Sequence, residues 1–133
     1  MNAYSSAIKF VNTDASDNYA ALTAQYLGVS GDQINEYHIE KGVAAAIYVL
    51  GSICNCARVR PFVKKNSIDF DKILKLTSAW GTGLSVMARL AAHLFNPYAA
   101  GRDVTPHEIF RPLDENNTRI TLEALRIAYS QQI

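Results

Sequence analysis

Hydrophobic residues recur along most of the chain at the three- and four-residue spacing of an α-helix, whereas alternating strand patterns are short and weak. Residues 42–57 form the most apolar stretch, because no charged residue interrupts the run between Lys41 and Arg58. A helix that is apolar nearly all round is normally surrounded by other helices. The run is shorter than the roughly 20 apolar residues of a membrane span. The pattern therefore predicts an all-α fold with a central apolar helix at 42–57, ended by Pro61.

A second strong periodicity runs through residues 69–95. Two interleaved sets are spaced seven apart there: Ile73, Trp80, Met87 and Leu94, and Leu76, Gly83 and Leu90. This spacing predicts one continuous helix with a packing seam of the kind found in helix bundles. Asn96 and Pro97 predict its end. Gly81 and Gly83 weaken the helix, so we expect another helix to approach closely at these positions.

The segment after this helix carries the clearest local signal in the chain. Thr105 is followed by Pro106 and by Glu108, which together form a capping box with proline at the first helical position. Pro112 then predicts the end of this short helix. Asp114 is suited to cap a closing helix that runs to about residue 130.

These last two helices have the outline of a DNA-reading helix-turn-helix. However, the first turn of the second helix contains Asp114 and Glu115, which would face the phosphates. Arg119 and Arg126 are spaced to pair with Glu115 and Glu123 within the helix. We therefore interpret the element as an amphipathic closing helix. The residues expected to face inward are Ile120, Leu122, Ala124, Leu125, Ile127 and Tyr129.

Weaker helical signals precede the central helix. Residues 3–11 predict a short first helix, and residues 16–27 predict a second, with Ser16 as its cap and Gly28 as its stop. A further helix is expected to begin near Gln33. It would carry Ile34, Tyr37 and His38.

The composition fits one globular unit. The 133 residues are the length of an ordinary domain, and 49% hydrophobic with 19% charged residues is enough to build a core. We expect a compact single-domain bundle of about five to six helices over residues 1–133. Residues 1–35 would form an N-terminal helical region that packs on a core made by residues 36–133.

The charge is nearly balanced overall but is unevenly distributed. The net charge is only +1, which disfavours a generally basic nucleic-acid-binding domain. Residues 1–57 hold two basic and five acidic residues, whereas residues 58–133 hold eleven and seven. The surplus is concentrated at Arg58, Arg60, Lys64 and Lys65, on both sides of Phe62.

This segment is the candidate binding patch for a protein partner or for nucleic acid, with Phe62 able to stack on a base. The structural alternative is a solvated loop in which Phe62 fills the core and the cations suit a helix C-terminus.

Cysteine and histidine offer no clear catalytic or metal site. Cys54 and Cys56 are two apart, which is poorly placed for a mutual disulfide and fits a reducing compartment. On a helix their side chains would point about 200° apart, so they are not expected to share a zinc ion. The histidines that could complete such a site are His38, His93 and His107.

Chemical motifs are equally scarce. We find no nucleophile elbow, no phosphate-binding loop and no recognisable pair of carboxylates, so the sequence predicts neither an enzyme nor a cofactor. The N-terminus lacks the pattern of a signal peptide. We therefore expect a cytoplasmic protein that does not enter a membrane.

The C-terminal part resembles a group of small, uncharacterised bacterial and prophage proteins. The resemblance is carried by "AAIYVLGS" at 45–52, "GLSVMARLAAHLFN" at 83–96 and "EIFRPLDENNTRITLEALRIAY" at 108–129. It covers about the last two-thirds of the chain and leaves out the first 35 residues. It implies an all-helical fold and a bacterial or mobile-element origin, and it implies no chemistry or catalytic residue.

The sequence thus favours a small non-enzymatic interaction or regulatory protein that binds another protein. A phage- or mobile-element-encoded modulator of host defence is the specific form of this hypothesis. The alternative is a helical protein that binds nucleic acid through residues 58–65. A homodimer is also plausible, because the chain has seven tyrosines and aromatic residues favour interfaces.

Overall fold

The computed structural model describes residues 7–53 and 56–130, and its regular structure there is almost entirely helical. The α-helices are α1 (Thr13–Leu27), α2 (Lys41–Ser52), α3 (Cys56–Val59), α4 (Phe70–Thr77), α5 (Thr82–Phe95), α6 (Pro106–Phe110) and α7 (Glu115–Tyr129). Short 3-10 helices span Gly31–Glu36 and Arg60–Phe62. Strands β1 (Val63–Lys64) and β2 (Ser67–Ile68) form a small antiparallel hairpin, with Val63 opposite Ile68. The predicted all-α fold is confirmed, although the described helices outnumber the predicted five to six.

Helix α2 lies at the centre of the core, as its apolar sequence predicts. Residues 43–51 are all buried, and α1, α5 and α7 pack against them. Two glycines allow the closest approaches. A Cβ atom on Gly42 would lie 2.5 Å from the carbonyl oxygen of Leu94, and one on Gly51 would lie 3.1 Å from the backbone nitrogen of Tyr19.

The central helix is shorter than predicted. It ends at Ser52, because Ile53 adopts an extended conformation, and a separate short helix follows as α3. The amide of Asn18 donates to the carbonyl oxygen of Gly51 at 3.1 Å, which satisfies one of the acceptors left free at a helix end. Pro61 therefore does not end α2 and instead lies in the second 3-10 helix.

The predicted continuous helix over residues 69–95 is also divided. Helices α4 and α5 are separated at residues 78–81, where Gly81 has a φ of 93° that favours glycine. Apart from the two chain neighbours of Gly81, no described residue lies within 4 Å of a Cβ placed there, so the expected close approach is absent. At Gly83 the nearest atoms, on Pro112 and Leu113, lie at an ordinary 3.8 Å. Several residues of the predicted seam are nevertheless buried: Ile73, Met87, Leu90 and Leu94.

Helix α1 begins earlier and ends where predicted. Asn12 caps its start, since its side-chain oxygen accepts from the backbone N–H of Ala15 at 2.8 Å. The predicted cap, Ser16, lies inside the helix. Gly28 ends the helix in the left-handed conformation with a φ of 72°, as expected of a C-terminal glycine.

The two other helical segments predicted before α2 are not α-helices. Residues 7–11 of the proposed first helix contain no helix, and its earlier residues lie outside the described part of the chain. The segment near Gln33 forms a 3-10 helix that stops before Tyr37 and His38. Ile34 is its only buried residue, so an α-helix there would have no apolar stripe to bury.

Side chains hold the N-terminal segment, residues 7–11, in its non-helical form. The hydroxyl of Tyr48 donates to the carbonyl oxygen of Lys9 at 2.8 Å, and the N–H of Lys9 donates to the carboxylate of Glu123 at 2.7 Å. Arg126 donates to the carbonyl oxygen of Ala7 at 2.9 Å and forms two 2.7 Å hydrogen bonds to Glu123. These bonds use backbone groups that a helix would have needed, and they attach the segment to α2 and α7.

The two C-terminal helices begin and end where the sequence predicts. Thr105 and Glu108 form the reciprocal capping box at the start of α6, which ends before Pro112. Asp114 caps α7, and its carboxylate accepts from the N–H of Asn117 at 2.7 Å.

The inward face of α7 is narrower than predicted. Ile120, Ala124 and Ile127 are fully buried, but Leu122 is 54% exposed and Tyr129 is 67% exposed. A residue two positions along a helix is rotated by about 200°, so Leu122 and Tyr129 point away from the face that Ile120 and Ile127 bury. The prediction that they face inward is wrong.

Candidate partner-binding site

The candidate patch, defined here as residues 58–65, follows the end of α3 through the second 3-10 helix into β1. Its backbone is fastened to α1. The amide of Gln25 donates to the carbonyl oxygens of Arg60 and Val63, both at 2.6 Å, and the N–H of Asn66 donates to the carbonyl oxygen of Tyr26 at 2.8 Å. The segment thus has a defined path along α1.

The alternation of buried and exposed side chains turns the cations outward. Val59 and Val63 are buried and anchor the segment in the core, whereas the charged side chains between and beside them are exposed. The four exposed cations are Arg58, Arg60, Lys64 and Lys65.

Two of these cations also have contacts within the molecule. The guanidinium of Arg58 lies over the ring of Trp80, 5.6 Å from its centroid. The aliphatic stem of Lys65 lies over Gly28, where a Cβ atom would meet it at 2.8 Å. A cation at the end of α1 also suits the helix dipole. Arg60 and Lys64 are therefore the two cations of the patch with the least structural role.

Charge pairing separates the patch from most of the other cations. None of its four cations forms an ion pair with a carboxylate in the described part of the chain. The cations that do form ion pairs lie outside it: Lys72, Arg89, Arg102, Arg119 and Arg126. The predicted pairs of Arg119 with Glu115 and of Arg126 with Glu123 are both present, each at 2.7 Å.

Phe62 is half-buried and packs against the hydrophobic core. Its ring is therefore partly used by the fold. A base-stacking role would need an exposed ring face, so the position of Phe62 favours the structural alternative for this residue.

The thiol of Cys56, near the patch, is not activated. Cys56 is buried, and burial raises the pKa of its thiol, an effect that the nearby charge of Arg60 only partly opposes. A raised pKa leaves little thiolate to act as nucleophile or metal ligand. Cys54 lies outside the described residues. Among those described, no three histidine, cysteine or acidic side chains are grouped in a way that could hold a metal ion.

An open cleft of about 920 Å³ lies beside the start of α3. It brings together the first turns of α1 and α7, which are far apart in the sequence, and three carboxylates line it: Asp14, Asp17 and Asp114. The sequence does not show this grouping, because it arises only where α1 and α7 both pack on α2. Asp114 is already used as a helix cap, and the cleft's thiol, Cys56, has a raised pKa. Cys56 is therefore not an activated nucleophile in this cleft.

The class that the fold defines is a small all-α protein with a fixed, exposed basic segment. No helix within the described ranges is long and apolar enough to cross a membrane. No protein-family model matches the chain, and no curated protein or solved structure matches it either.

Proposed function

We propose that this is a small, non-enzymatic interaction protein that binds an acidic surface of another protein through the patch at residues 58–65. The observation that carries the proposal is the group of four exposed cations, Arg58, Arg60, Lys64 and Lys65, with no ion pair to a described carboxylate. Like charges on one short segment repel each other. A partner that supplies carboxylates would relieve that repulsion and speed association.

Nucleic acid is the second candidate, since phosphates would also neutralise these cations. Two observations favour a protein. The first is that Phe62 packs against the core. The second is that the exposed first turn of α7 carries Asp114 and Glu115, which would repel a polyanion that reached from the patch to the start of α7. In addition, the net charge of the chain is only +1, so a long nucleic acid would find little positive charge outside the patch.

The test is affinity capture from a bacterial lysate, with and without nuclease treatment, using matched charge-reversal variants. The test variant is Arg60→Glu/Lys64→Glu, because these cations have the least structural role. The control variant is Lys75→Glu/Arg111→Glu, which makes the same change in net charge. Lys75 and Arg111 are also exposed and form no ion pair among the described residues.

We expect the natural chain and the control variant to capture a protein, and this capture should survive nuclease treatment. The test variant should no longer capture that protein. The captured protein is then purified and its affinity is measured at about 50 mM and about 200 mM salt, where an electrostatic interface should weaken. Capture that disappears with nuclease would favour the nucleic-acid candidate. Equal capture by both variants would overturn the proposed role of the patch.

The biological setting is also part of the proposal. The resemblance to prophage proteins suggests a cytoplasmic modulator of host defence that acts by binding a host protein. In that case, expression of the natural chain should change the sensitivity of a bacterial host to phage infection, and the Arg60→Glu/Lys64→Glu variant should not. Equal effects of the two chains would contradict a role for the patch in this process.

A further inference from the structure

The outer face of α7 exposes two large apolar side chains. Leu122 and Tyr129 are seven residues apart, or about two helical turns, so they lie on one side of the helix. Large hydrophobic residues are seldom exposed elsewhere in the described parts of the chain. Those that are exposed are Tyr37, Tyr98, Leu122 and Tyr129. Two of these four thus share one face of one helix.

A groove of about 500 Å³ lies directly beside this face. One wall is the non-helical N-terminal segment, with Phe10 and Val11, and the other wall is α7, with Asn116, Arg119 and Leu122. The groove therefore offers apolar surface together with the guanidinium of Arg119, which is 71% exposed and is paired with Glu115. Lys9, Glu123 and Arg126 also line it. An aromatic ring that enters it can be covered by apolar atoms and can lie against this cation.

We propose that α7 pairs antiparallel with α7 of a second copy of this chain, about a twofold axis that passes near Leu122. Rotation about that axis places the Tyr129 ring of each copy opposite residue 115 of the other. The ring then lies next to Asn116 and Arg119, at the groove. Leu122 meets its own counterpart on the axis. The helix thus carries both the inserting side chain and the groove that receives it, as an isologous dimer requires.

The charges along α7 favour a second copy of this chain over an unrelated helix. The first turn is acidic, with Asp114 and Glu115 both exposed. Near the other end, the ammonium group of Lys41 donates to the carbonyl oxygen of Ser130, whereas Arg126, one turn earlier, is already paired with Glu123. Antiparallel pairing brings Asp114 of one copy opposite Ser130 of the other and therefore near Lys41, and it also opposes the two helix dipoles.

A contact made mainly by one pair of helices is small compared with a standard interface of about 1,600 Å². We therefore expect a weak, reversible dimer that forms as the protein concentration rises. The pairing uses neither Arg60 nor Lys64, so the dimer and the binding patch can be tested separately.

Sedimentation equilibrium over a wide concentration range tests the association. The natural chain should show a monomer–dimer equilibrium, which Leu122→Glu should weaken by at least about tenfold, because it places two carboxylates together on the axis. The control is Tyr98→Ser, which removes an even more exposed aromatic ring from outside this face and should dimerise normally. A natural chain that stays monomeric throughout, or a Leu122→Glu variant that dimerises equally well, would overturn the proposal.

Cysteine cross-linking tests the geometry. In a Cys54→Ala/Cys56→Ala background shown to fold by circular dichroism, Leu122→Cys should form a disulfide-linked dimer with itself. Glu115→Cys should cross-link to Tyr129→Cys when the two variants are mixed, and neither should cross-link to itself. Self-linking of Glu115→Cys would indicate parallel pairing and would contradict the proposed axis. The Arg60→Glu/Lys64→Glu variant should dimerise like the natural chain.

Discussion

Helix α2 and the basic patch at 58–65 lie close together in the sequence but differ in almost every physical respect. Helix α2 is buried from residue 43 to residue 51 and is surrounded by α1, α5 and α7. The patch is held by two buried valines and a few backbone hydrogen bonds, and it turns its charges to solvent. The difference separates two roles. Substitutions in α2 should cost stability, whereas substitutions of the patch cations should cost binding and leave the fold intact.

The largest loss of stability is expected from Leu50→Ala. Leu50 is fully buried at the centre of α2, and its truncation would remove apolar contacts and leave a cavity. Such substitutions cost about 2–5 kcal/mol in the free energy of unfolding. Urea unfolding followed by circular dichroism measures the loss. A cost below about 1 kcal/mol would mean that α2 is not the packed centre of the molecule.

A smaller loss is expected from Gly42→Ala, because the new Cβ would lie 2.5 Å from the carbonyl oxygen of Leu94. Overpacking of this kind costs about 1–3 kcal/mol, which should outweigh the usual gain of alanine over glycine in a helix. The matched control is Gly83→Ala in α5, where the nearest atoms lie at 3.8 Å. That variant should be neutral or slightly more stable. Equal effects at the two glycines would contradict the close approach of α2 and α5.

A third prediction compares how much two ion pairs of α7 contribute to stability. Glu123 accepts hydrogen bonds from Arg126 and from the N–H of Lys9, and its side chain is only 10% exposed. Within the described part of the chain, the carboxylate of Glu115 pairs with Arg119, and both side chains are largely exposed. We expect Glu123→Gln to cost about 1–3 kcal/mol and Glu115→Gln less than about 1 kcal/mol. The same urea unfolding experiment measures both.

The effect of Glu123 should also depend on pH. Burial alone would raise the pKa of Glu123, but the hydrogen bonds and charges of Arg126 and Lys9 outweigh burial, so its pKa lies below the usual value. The unfolded chain therefore takes up a proton more readily, and the stabilisation present above about pH 4.3 is lost as the pH falls through the lowered pKa. The stability difference between the natural chain and Glu123→Gln should shrink on acidification. A difference that stays constant down to about pH 2 would exclude this linkage.

Sequence reasoning succeeded where a local signal determines the outcome. The cap at Thr105, the stop at Gly28 and the apolar character of α2 each act over a few residues, so each could be predicted. It failed where tertiary contacts override a local pattern. The heptad spacing over residues 69–95 continues through Gly81, yet the chain turns there. Residues 7–11 are not helical, because side chains of α2 and α7 bind their backbone.

The candidate site was partly predictable for the same reason. The cations of the patch are visible as a cluster in the sequence. That they have no carboxylate partner among residues 7–53 and 56–130 depends on which residues surround them. The acidic cleft and the groove beside α7 each combine residues from distant segments. The exposure of Leu122 and Tyr129 follows from helix geometry once the buried face of α7 is known.

Arg60→Glu/Lys64→Glu should have only a small effect on stability, and it gives the most direct test of the proposed role of the patch. Both side chains are exposed, so the double substitution should change the free energy of unfolding by no more than about 1 kcal/mol. The measurement is the affinity for the captured partner at low salt, alongside the Lys75→Glu/Arg111→Glu control. We predict that only the Arg60→Glu/Lys64→Glu variant loses binding, by at least about tenfold, while it remains folded. Unchanged affinity, or an equal loss in the control, would contradict the account.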